Sequence, residues 1–183
     1  MNREKDKMLK GQYYNPNDDQ LVKEREYARK LLYEYNHTHP NDREKAQEIM
    51  RRLIIAKGSF HIEAPFYCDY GYNIVVGDNF YANFGCVILD VNKVTIGDNV
   101  LLGPYVQIYT AAHPMDPVKR LSGLEFGQPI TIGDNVWIGG GAIICPGVKI
   151  GSNVTIGAGS VVTKDLPDNI VAVGNPCRII RKV

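Results

Sequence analysis

The stretch from Ile130 to Leu166 reads ITIGDNVWIGGGAIICPGVKIGSNVTIGAGSVVTKDL and repeats every six residues. A period of six fits neither an α-helix nor a single long strand. It fits short strands joined by tight turns, in which three hexapeptides make one triangular coil and stacked coils bury a continuous apolar column. The residues expected in this column are Ile132, Ile138, Ile144, Ile150, Ile156 and Val162, most of them followed by a small residue.

The same pattern extends toward the N-terminus with small departures from the six-residue spacing, such as the shift of two residues from Val94 to Ile96. Asn and Asp tolerate the left-handed backbone that tight corners need, and Gly-Asp-Asn or Gly-Ser-Asn recurs at Gly77, Gly97, Gly133 and Gly151. We therefore predict an all-β solenoid, a parallel β-helix of hexapeptide repeats, over residues 58–166. Its earlier coils are expected to bury Ile62, Cys68 and Ile74, then Val76, Ala82 and Ile88, then Ile96, Leu102 and Ile108.

Residues 1–57 differ in composition, since they hold 23 of the 41 charged side chains. Their apolar residues recur at helical spacing, and Asn41 followed by Glu44 predicts a helix start with a capping box. We predict an N-terminal helical segment that packs as a cap on the solenoid, and a C-terminal tail over residues 167–183. The expected buried helical face consists of Leu21, Tyr27, Ala28, Leu31, Leu32 and Tyr35, followed by Ala46, Ile49, Met50, Leu53 and Ile54.

The overall composition excludes several classes of partner. A net charge of +1 gives no reason to expect nucleic acid or an anionic membrane. No apolar run is long enough to span a bilayer, and the charged N-terminus has no signal-peptide core. The four cysteines are widely spaced and resemble small buried residues in a reducing compartment, so we expect a cytoplasmic protein.

One long break interrupts the repeat. Residues 109–131 read YTAAHPMDPVKRLSGLEFGQPIT and form a predicted excursion from the coil. A loop of this length in a compact repeat is usually functional or disordered. It contains His113, the only histidine beyond residue 61. A lone loop histidine often merely faces water, but loop insertions on solenoids often carry the binding face.

A metal site is the first alternative for His113. Some hexapeptide β-helix enzymes place three histidines around zinc, but His37, His39 and His61 all stand at or before the start of this solenoid. No second ligand lies near His113 at a usual spacing, so we predict no metal. A single imidazole suits general-base chemistry instead.

Several motifs resemble the maltose/galactoside O-acetyltransferase branch of the hexapeptide acyltransferases. They are CDYGYNIVVGDNFYANFGCVILDV, YTAAHPMDP, GAGSVVTKDLPDN and GNPCRIIRK, together with the helical N-terminal segment, and the resemblance covers essentially the whole chain. It is closest to the maltose-type members. It implies a left-handed β-helix, acetyl-CoA as donor, a sugar hydroxyl as acceptor, and a homotrimer with active sites between neighbouring solenoids.

The resemblance also assigns candidate catalytic and acceptor residues. His113 would take the proton of the sugar hydroxyl, and the amide of Asn83 would stabilise the developing oxyanion. Asp69 stands where galactoside-preferring relatives tend to carry Ser, and Glu125 where they carry Met, which favours a glucose- or maltose-like acceptor. The acceptor-side candidates are Asp69, Tyr81, Asp90 and Glu125.

The cofactor side is expected near the C-terminal coils. Three cations, Lys164, Arg178 and Arg181, suit the phosphates of coenzyme A, although Arg181 could also belong to a solubilising basic tail. Small residues would let the backbone approach the pantetheine arm. Trp137 could pack against coenzyme A or cover the solenoid wall. The positions that match the pantetheine contacts are Gly140, Ala158 and Thr163.

Two alternative functions stay open at this point. One is acetyl transfer to a different acceptor, such as an oligosaccharide, an antibiotic or an amino sugar, with the same histidine and cofactor groups. The other is a catalytically silent trimeric solenoid. His113 and the basic C-terminal residues favour an enzyme, and failure to bind coenzyme A would favour the silent solenoid.

Overall fold

Three sheets of parallel strands, one of them with an antiparallel edge strand, form the walls of a β-solenoid in the computed structural model, which describes residues 3–183. A helical segment precedes the solenoid, as predicted from the sequence. The helices are α1 (Arg3–Leu9), α2 (Asp19–Asn36), α3 (Arg43–Leu53) and the short α4 (Pro117–Leu121).

The strands are two to five residues long and follow the hexapeptide repeat. After β1 (Ile55–Ala56), the first two coils contain β2 (Phe60–Ile62), β3 (Tyr67–Cys68), β4 (Ile74–Val76), β5 (Phe80–Ala82), β6 (Val87–Leu89) and β7 (Val94–Ile96). The third coil contains β8 (Leu101–Leu102), β9 (Gln107–Tyr109), the excursion strands β10 (Ala111–Ala112) and β11 (Phe126–Gly127), and β12 (Ile130–Ile132). The last strands are β13 (Trp137–Ile138), β14 (Ile143–Ile144), β15 (Lys149–Ile150), β16 (Val154–Ile156), β17 (Val161–Val162), β18 (Ile170–Val173) and β19 (Arg178–Lys182).

Each wall is one sheet whose neighbouring strands come from successive coils. Sheet I has the order β1-β4-β7-β12-β15, sheet II β19-β18-β16-β13-β8-β5-β2, and sheet III β17-β14-β9-β6-β3. The residues predicted for the central column are all buried. Each fully buried aliphatic side chain contributes roughly 1.5–3 kcal/mol, so the stacked column is the main source of stability.

Side-chain ladders run along the corner between sheets I and II. Asn79, Asn99, Asn135, Asn153 and Asn169 all have left-handed backbone, with φ between 54° and 60°. Each of the first four donates its side-chain N–H to the side-chain oxygen of the next, at 2.8–3.2 Å. A second ladder joins backbone N–H groups to the side-chain oxygens of Asp78, Asp98, Asp134, Ser152 and Asp168. The recurring Gly-Asp-Asn motif therefore binds consecutive coils together.

Some sequence-based boundaries were wrong. Helix α3 is capped by Asp42 and not by Asn41, because the Asp42 side chain accepts the Lys45 N–H. Tyr27 is half exposed and does not belong to the buried face of α2. The first two residues of the predicted segment 1–57 lie outside the described part of the chain.

The C-terminal residues continue the solenoid instead of forming a tail. Strand β18 pairs in parallel with β16, and β19 folds back antiparallel on β18. The sequence did not indicate this extension, because Ile156 pairs with Ala172. The step between them is 16 residues, which is shorter than the three hexapeptides of a regular coil.

Candidate active site

The excursion between β9 and β12 is an ordered hairpin with a helical tip. Strands β10 and β11 pair antiparallel, and α4 lies between them with its first turn capped by Asp116. His113 directly follows β10 and is exposed. Three apolar side chains at the tip are largely exposed: Met115 at 92%, Val118 at 78% and Leu121 at 88%.

The N-terminal segment holds the returning strand of this hairpin. Tyr14 and Glu125 exchange both backbone hydrogen bonds, with N–H to O distances of 2.9 and 3.2 Å. The buried Tyr14 hydroxyl also donates to Oε2 of Glu125 at 2.9 Å. The Asn92 side-chain amide donates to the backbone oxygens of Met8 and Gly127 at 3.2 and 3.0 Å. The predicted acceptor residue Glu125 is therefore fixed from the cap side.

Asp69 lies in the electrostatic field of Glu125. Burial raises the pKa of the Asp69 carboxyl, and the nearby Glu125 carboxylate raises it further. Arg25 and Arg29 oppose this by lowering the same pKa. Arg25 is held in place because it donates to the Tyr70 hydroxyl at 2.7 Å and to the Pro16 oxygen at 2.6 Å. The structure thus gathers two carboxylates and two guanidinium groups in one region.

Asp90 does not face this region, and its predicted contact with the acceptor is not available in the structure. The residue has no exposed surface. Its carboxylate instead accepts backbone N–H groups from Asp69 at 3.0 Å, Tyr70 at 2.9 Å and Asn73 at 3.3 Å. Burial raises the pKa of Asp90 to about 7 against the effect of these donors. Asp90 therefore shapes the turn that carries Asp69.

Asn83 and Tyr81 are separated from Asp69 by the wall that sheet III forms. Asn83 follows β5, and its side-chain oxygen accepts the Phe84 N–H at 2.7 Å. Its amide nitrogen has no hydrogen-bond partner among residues 3–183, so it is available to a ligand. Tyr81 is half-buried on the outer face of sheet II, where its ring stacks on His61 with centroids 5.8 Å apart.

We call the boundary between sheets II and III the first edge, and two predicted cofactor positions lie on it. The backbone N–H of Gly159 donates to the Gly140 oxygen at 2.9 Å, which places Gly140 beside Ala158 in the next coil. A Cβ added to Gly103 would lie 2.5 Å from the Gly140 nitrogen, and one added to Gly139 would lie 2.5 Å from the Ala158 nitrogen. The first edge is therefore a narrow row of small residues that ends at Asn83.

The remaining cofactor candidates are exposed around the later coils. Thr163 and Lys164 follow β17. Arg178 begins β19 and follows Cys177, whose N–H donates to the Val161 oxygen at 2.8 Å. Arg181 pairs with Val171 at the outer side of sheet II. Trp137 is 56% exposed, so it does not serve to bury the wall of the single chain.

One chain does not bring the whole candidate site together. We call the boundary between sheets III and I the second edge. Asn83, Gly140 and Ala158 lie on the first edge, whereas His113 leaves the solenoid at the second edge, one full wall away. The other candidates at the second edge are Asp69 and Glu125 on the acceptor side and Thr163 and Lys164 on the cofactor side.

Sequence reasoning missed the residues that hold the acceptor region in place. These are Tyr14, Arg25, Tyr70 and Asn73, and their partners are distant in sequence. Tyr14 belongs to the turn-rich segment GQYYNPNDD, which has no periodicity to indicate a contact with residue 125. The only available signal was the presence of two adjacent tyrosines in an otherwise polar turn.

Two clefts of the chain lie away from His113. One, of about 520 Å³, separates the cap from the first coil, and the other, of about 330 Å³, lies between α1, α2 and the turn at Tyr70–Tyr72. Within residues 3–183, no group of three or more His, Cys, Asp or Glu side chains is placed to hold a metal ion. No helix of the same range is long and apolar enough to cross a bilayer.

Two family models match the chain in the places that the fold suggests. The model of the maltose acetyltransferase hexapeptide capping motif matches residues 7–58, and that of the bacterial transferase hexapeptide with six repeats matches residues 129–164. A cap, a hexapeptide solenoid and a hairpin excursion thus define a transferase of the hexapeptide-repeat class.

Similar proteins indicate which branch of this class the chain belongs to. A solved maltose O-acetyltransferase from Clostridium difficile 630 is 59% identical, with a TM-score of 0.96 and coverage of 98% of this chain and 97% of that one. A solved galactoside acetyltransferase in complex with coenzyme A is 43% identical, with a TM-score of 0.96 and coverage of 100% and 92%. Nodulation protein L of Rhizobium meliloti is 51% identical over 96% of this chain and 97% of its own. The chain belongs to the maltose/galactoside O-acetyltransferase branch of the hexapeptide-repeat acyltransferases.

Proposed function

We propose that this protein transfers the acetyl group of acetyl-CoA to a hydroxyl group of a glucose- or maltose-like sugar. The first edge supports this function most directly, because a side chain added at Gly141 or Gly159 would meet nothing within 4 Å, so the backbone there is open to a ligand. Close backbone approach suits an extended pantetheine arm. The similar galactoside acetyltransferase, which is a complex with coenzyme A, supports the same donor.

The proposed site lies between two copies of the chain in a homotrimer. His113, Asp69, Glu125, Thr163 and Lys164 would come from the second edge of one copy. Asn83, Tyr81, Trp137, Gly140, Ala158, Arg178 and Arg181 would come from the first edge and sheet II of the next copy. Flat walls can pack around a threefold axis, and the exposed apolar tip of the excursion, next to His113, suits contact with another copy.

The proposed chemistry is a direct transfer. His113 takes the proton of the sugar hydroxyl as the hydroxyl oxygen attacks the thioester carbonyl carbon. The Asn83 amide donates to the oxyanion that forms on the carbonyl oxygen. The C–S bond then breaks, the acetyl group stays on the sugar oxygen, and the CoA thiolate leaves and takes up a proton. Burial raises the thiol pKa of all four free cysteines, Cys68, Cys86, Cys145 and Cys177, so an acetyl-cysteine intermediate is not proposed.

The acceptor side of the proposed site is acidic and hydrogen-bonding. Carboxylates such as Asp69 and Glu125 accept hydrogen bonds from sugar hydroxyls, and Tyr81 offers a stacking face. Asp90 supports this site indirectly, through the turn at Asp69. Because the cysteines are free thiols, we place the reaction in the reducing environment of the cytoplasm.

Thiol release from acetyl-CoA tests the proposal. The acceptors are glucose, maltose, galactosides, amino sugars and a no-acceptor control, and mass spectrometry identifies the acetylated product. We expect sugar-dependent release that is fastest with glucose or maltose. Release that is fastest with an amino sugar or an antibiotic would replace the acceptor class. No release with any acceptor, together with no binding of coenzyme A, would support a silent solenoid.

A further inference from the structure

The larger cleft lies where the helical cap meets the first coil. On the solenoid side it is lined by His61, Glu63 and Phe84, and on the cap side by His39 and Arg43. Its volume of about 520 Å³ is typical of small-molecule sites, which span roughly 300–1,000 Å³. The acetyl transfer proposed above assigns no role to this cleft.

The cleft continues a row of side chains on the outer face of sheet II. Strand register aligns Trp137 with Leu101, Leu101 with Tyr81, and Tyr81 with His61. Neighbouring strands are about 4.8 Å apart, so each step moves one strand toward the cap. The His61 and Tyr81 rings are stacked, with 9° between their planes, so they occupy successive positions of this row. The row leads from the proposed cofactor side, past the proposed acceptor residue Tyr81, into the cleft.

The first edge leads to the same place. The N–H of Glu63 donates to the Ala82 oxygen at 2.8 Å, and that of Asn83 donates to the Leu102 oxygen at 2.9 Å, so Glu63 lies one coil beyond Asn83. Phe84, the neighbour of Asn83, is 50% exposed and lines the cleft. A ligand that has its reacting hydroxyl at Asn83 could therefore extend into the cleft without leaving the edge.

The side chains of the cleft suit a sugar ring. His61 Nε2 lies 3.1 Å from Glu63 Oε1, and both side chains are partly exposed, at 50% and 33%. Together they offer an aromatic face with a carboxylate beside it. A pyranose has an apolar face that packs on a ring and hydroxyl groups that donate to a carboxylate.

We propose that this cleft is a distal acceptor subsite, which binds the second sugar of an oligosaccharide whose terminal sugar is acetylated at Asn83. This inference rests on the proposed function and adds a preference for acceptor length. A monosaccharide would fill only the position next to Asn83. A disaccharide such as maltose would gain the stacking face of His61 and a hydrogen bond to Glu63.

The dependence of kcat/KM on the length of the sugar acceptor tests the proposed subsite. We would determine kcat/KM for glucose, maltose and maltotriose at saturating acetyl-CoA in the wild type, His61→Ala and Glu63→Gln. His37→Ala is the matched control, because His37 is another exposed histidine stacked on a tyrosine, Tyr33, outside the cleft. Circular dichroism and urea unfolding confirm that each variant is folded.

We expect the wild type to prefer maltose to glucose about tenfold, because the second ring gains the stacking face of His61 and a hydrogen bond to Glu63. The maltose-to-glucose ratio should fall toward one in His61→Ala, fall severalfold in Glu63→Gln, and stay unchanged in His37→Ala. Sugar-dependent transfer with equal kcat/KM for glucose and maltose in the wild type would overturn the subsite alone. An equal loss for both sugars in His61→Ala would do the same. No transfer to any sugar would overturn the proposed function as well.

Discussion

The hydroxyl of Tyr14 donates a hydrogen bond of 2.9 Å to Oε2 of Glu125, across 111 residues of sequence. Tyr14 has no exposed surface, and it packs with Met8, Leu21, Tyr70 and Val91 in a core cluster of its own. The cap thereby fixes the returning strand of the excursion that carries His113. The helical segment is thus a structural part of the proposed acceptor site, in addition to covering the solenoid.

Tyr14→Phe should weaken acceptor binding with little effect on the cofactor. The substitution keeps the ring and removes the hydrogen bond that orients the Glu125 carboxylate, and hydrogen bonds to charged groups contribute about 1.5–3 kcal/mol. We expect the acceptor KM to rise about tenfold while the KM for acetyl-CoA is unchanged. Steady-state kinetics measure both. Tyr13→Phe is the control, and equal acceptor KM values in the two variants would contradict the positioning role.

Asp90→Asn should change the pH dependence of stability. Because the pKa of Asp90 is raised from 3.8 to about 7 in the folded state, the native protein keeps this proton between pH 4 and pH 7 while the unfolded chain has lost it. The stability from this group is therefore fully present below about pH 4 and is lost as the pH rises toward 7. Asparagine does not titrate, so position 90 makes no pH-dependent contribution to the stability of the variant.

Urea unfolding at pH 4.5, 5.5, 6.5 and 7.5 measures the effect. The unfolding free energy of the wild type minus that of Asp90→Asn should decrease as the pH rises across this range, by about 1.4 kcal/mol for each pKa unit of the shift. A difference that stays constant with pH would show that the Asp90 carboxylate has an ordinary pKa. Asp90→Ala should destabilise at every pH, because three backbone N–H groups lose their acceptor.

Substitutions of Asn135 test how much the asparagine ladder along the corner contributes to stability. Its backbone has a φ of 56°, and its side chain both accepts from Asn99 and donates to Asn153. Asn135→Gly keeps the left-handed backbone and removes two side-chain hydrogen bonds, so we expect a loss of about 1 kcal/mol. Asn135→Ala adds a left-handed penalty of roughly 1–2 kcal/mol. Urea unfolding should rank the wild type above the glycine variant and the glycine variant above alanine. Equal losses in the two variants would show that the corner backbone is not constrained.

The repeat made the solenoid predictable from the sequence because its determinants are local. The column from Ile132 to Val162 and the shift at Val94 each follow from spacing within one coil. Asp90 was misplaced for the opposite reason, since its carboxylate accepts backbone N–H groups from the turn at residues 69–73, which lies 17–21 residues away in the sequence. The strand β18 was missed because its step is shorter than three hexapeptides.

The candidate site could be predicted only in part. The residue types and their order indicated His113, Asn83 and the small residues of the first edge. Their separation by a full wall, and the contact between Tyr14 and Glu125, depend on how distant coils and the cap pack. No periodic signal encodes such contacts, so the sequence could not show them.

His113→Ala should remove most of the catalytic rate. A general base contributes roughly 10²–10⁴-fold, and His113 is exposed, so its removal should leave the fold intact. We expect kcat to fall by about 10²–10⁴-fold while coenzyme A still binds with its wild-type affinity. Thiol release and calorimetric binding of coenzyme A measure the two quantities, with His37→Ala as control. Undiminished sugar-dependent release would remove His113 from the mechanism.

Mixed assemblies of His113→Ala and Asn83→Ala chains test the central claim, that one active site takes His113 from one copy and Asn83 from the next. The two variants, carrying different tags, are co-expressed in equal amounts and the mixed oligomers are purified. Each variant alone should be nearly inactive. In every mixed trimer, one of the three sites combines an intact His113 with an intact Asn83, so the purified mixed oligomers should show about a third of the wild-type thiol release. If the mixed oligomers were as inactive as the single variants, each chain would have to supply both residues to its own site, and the account would be contradicted.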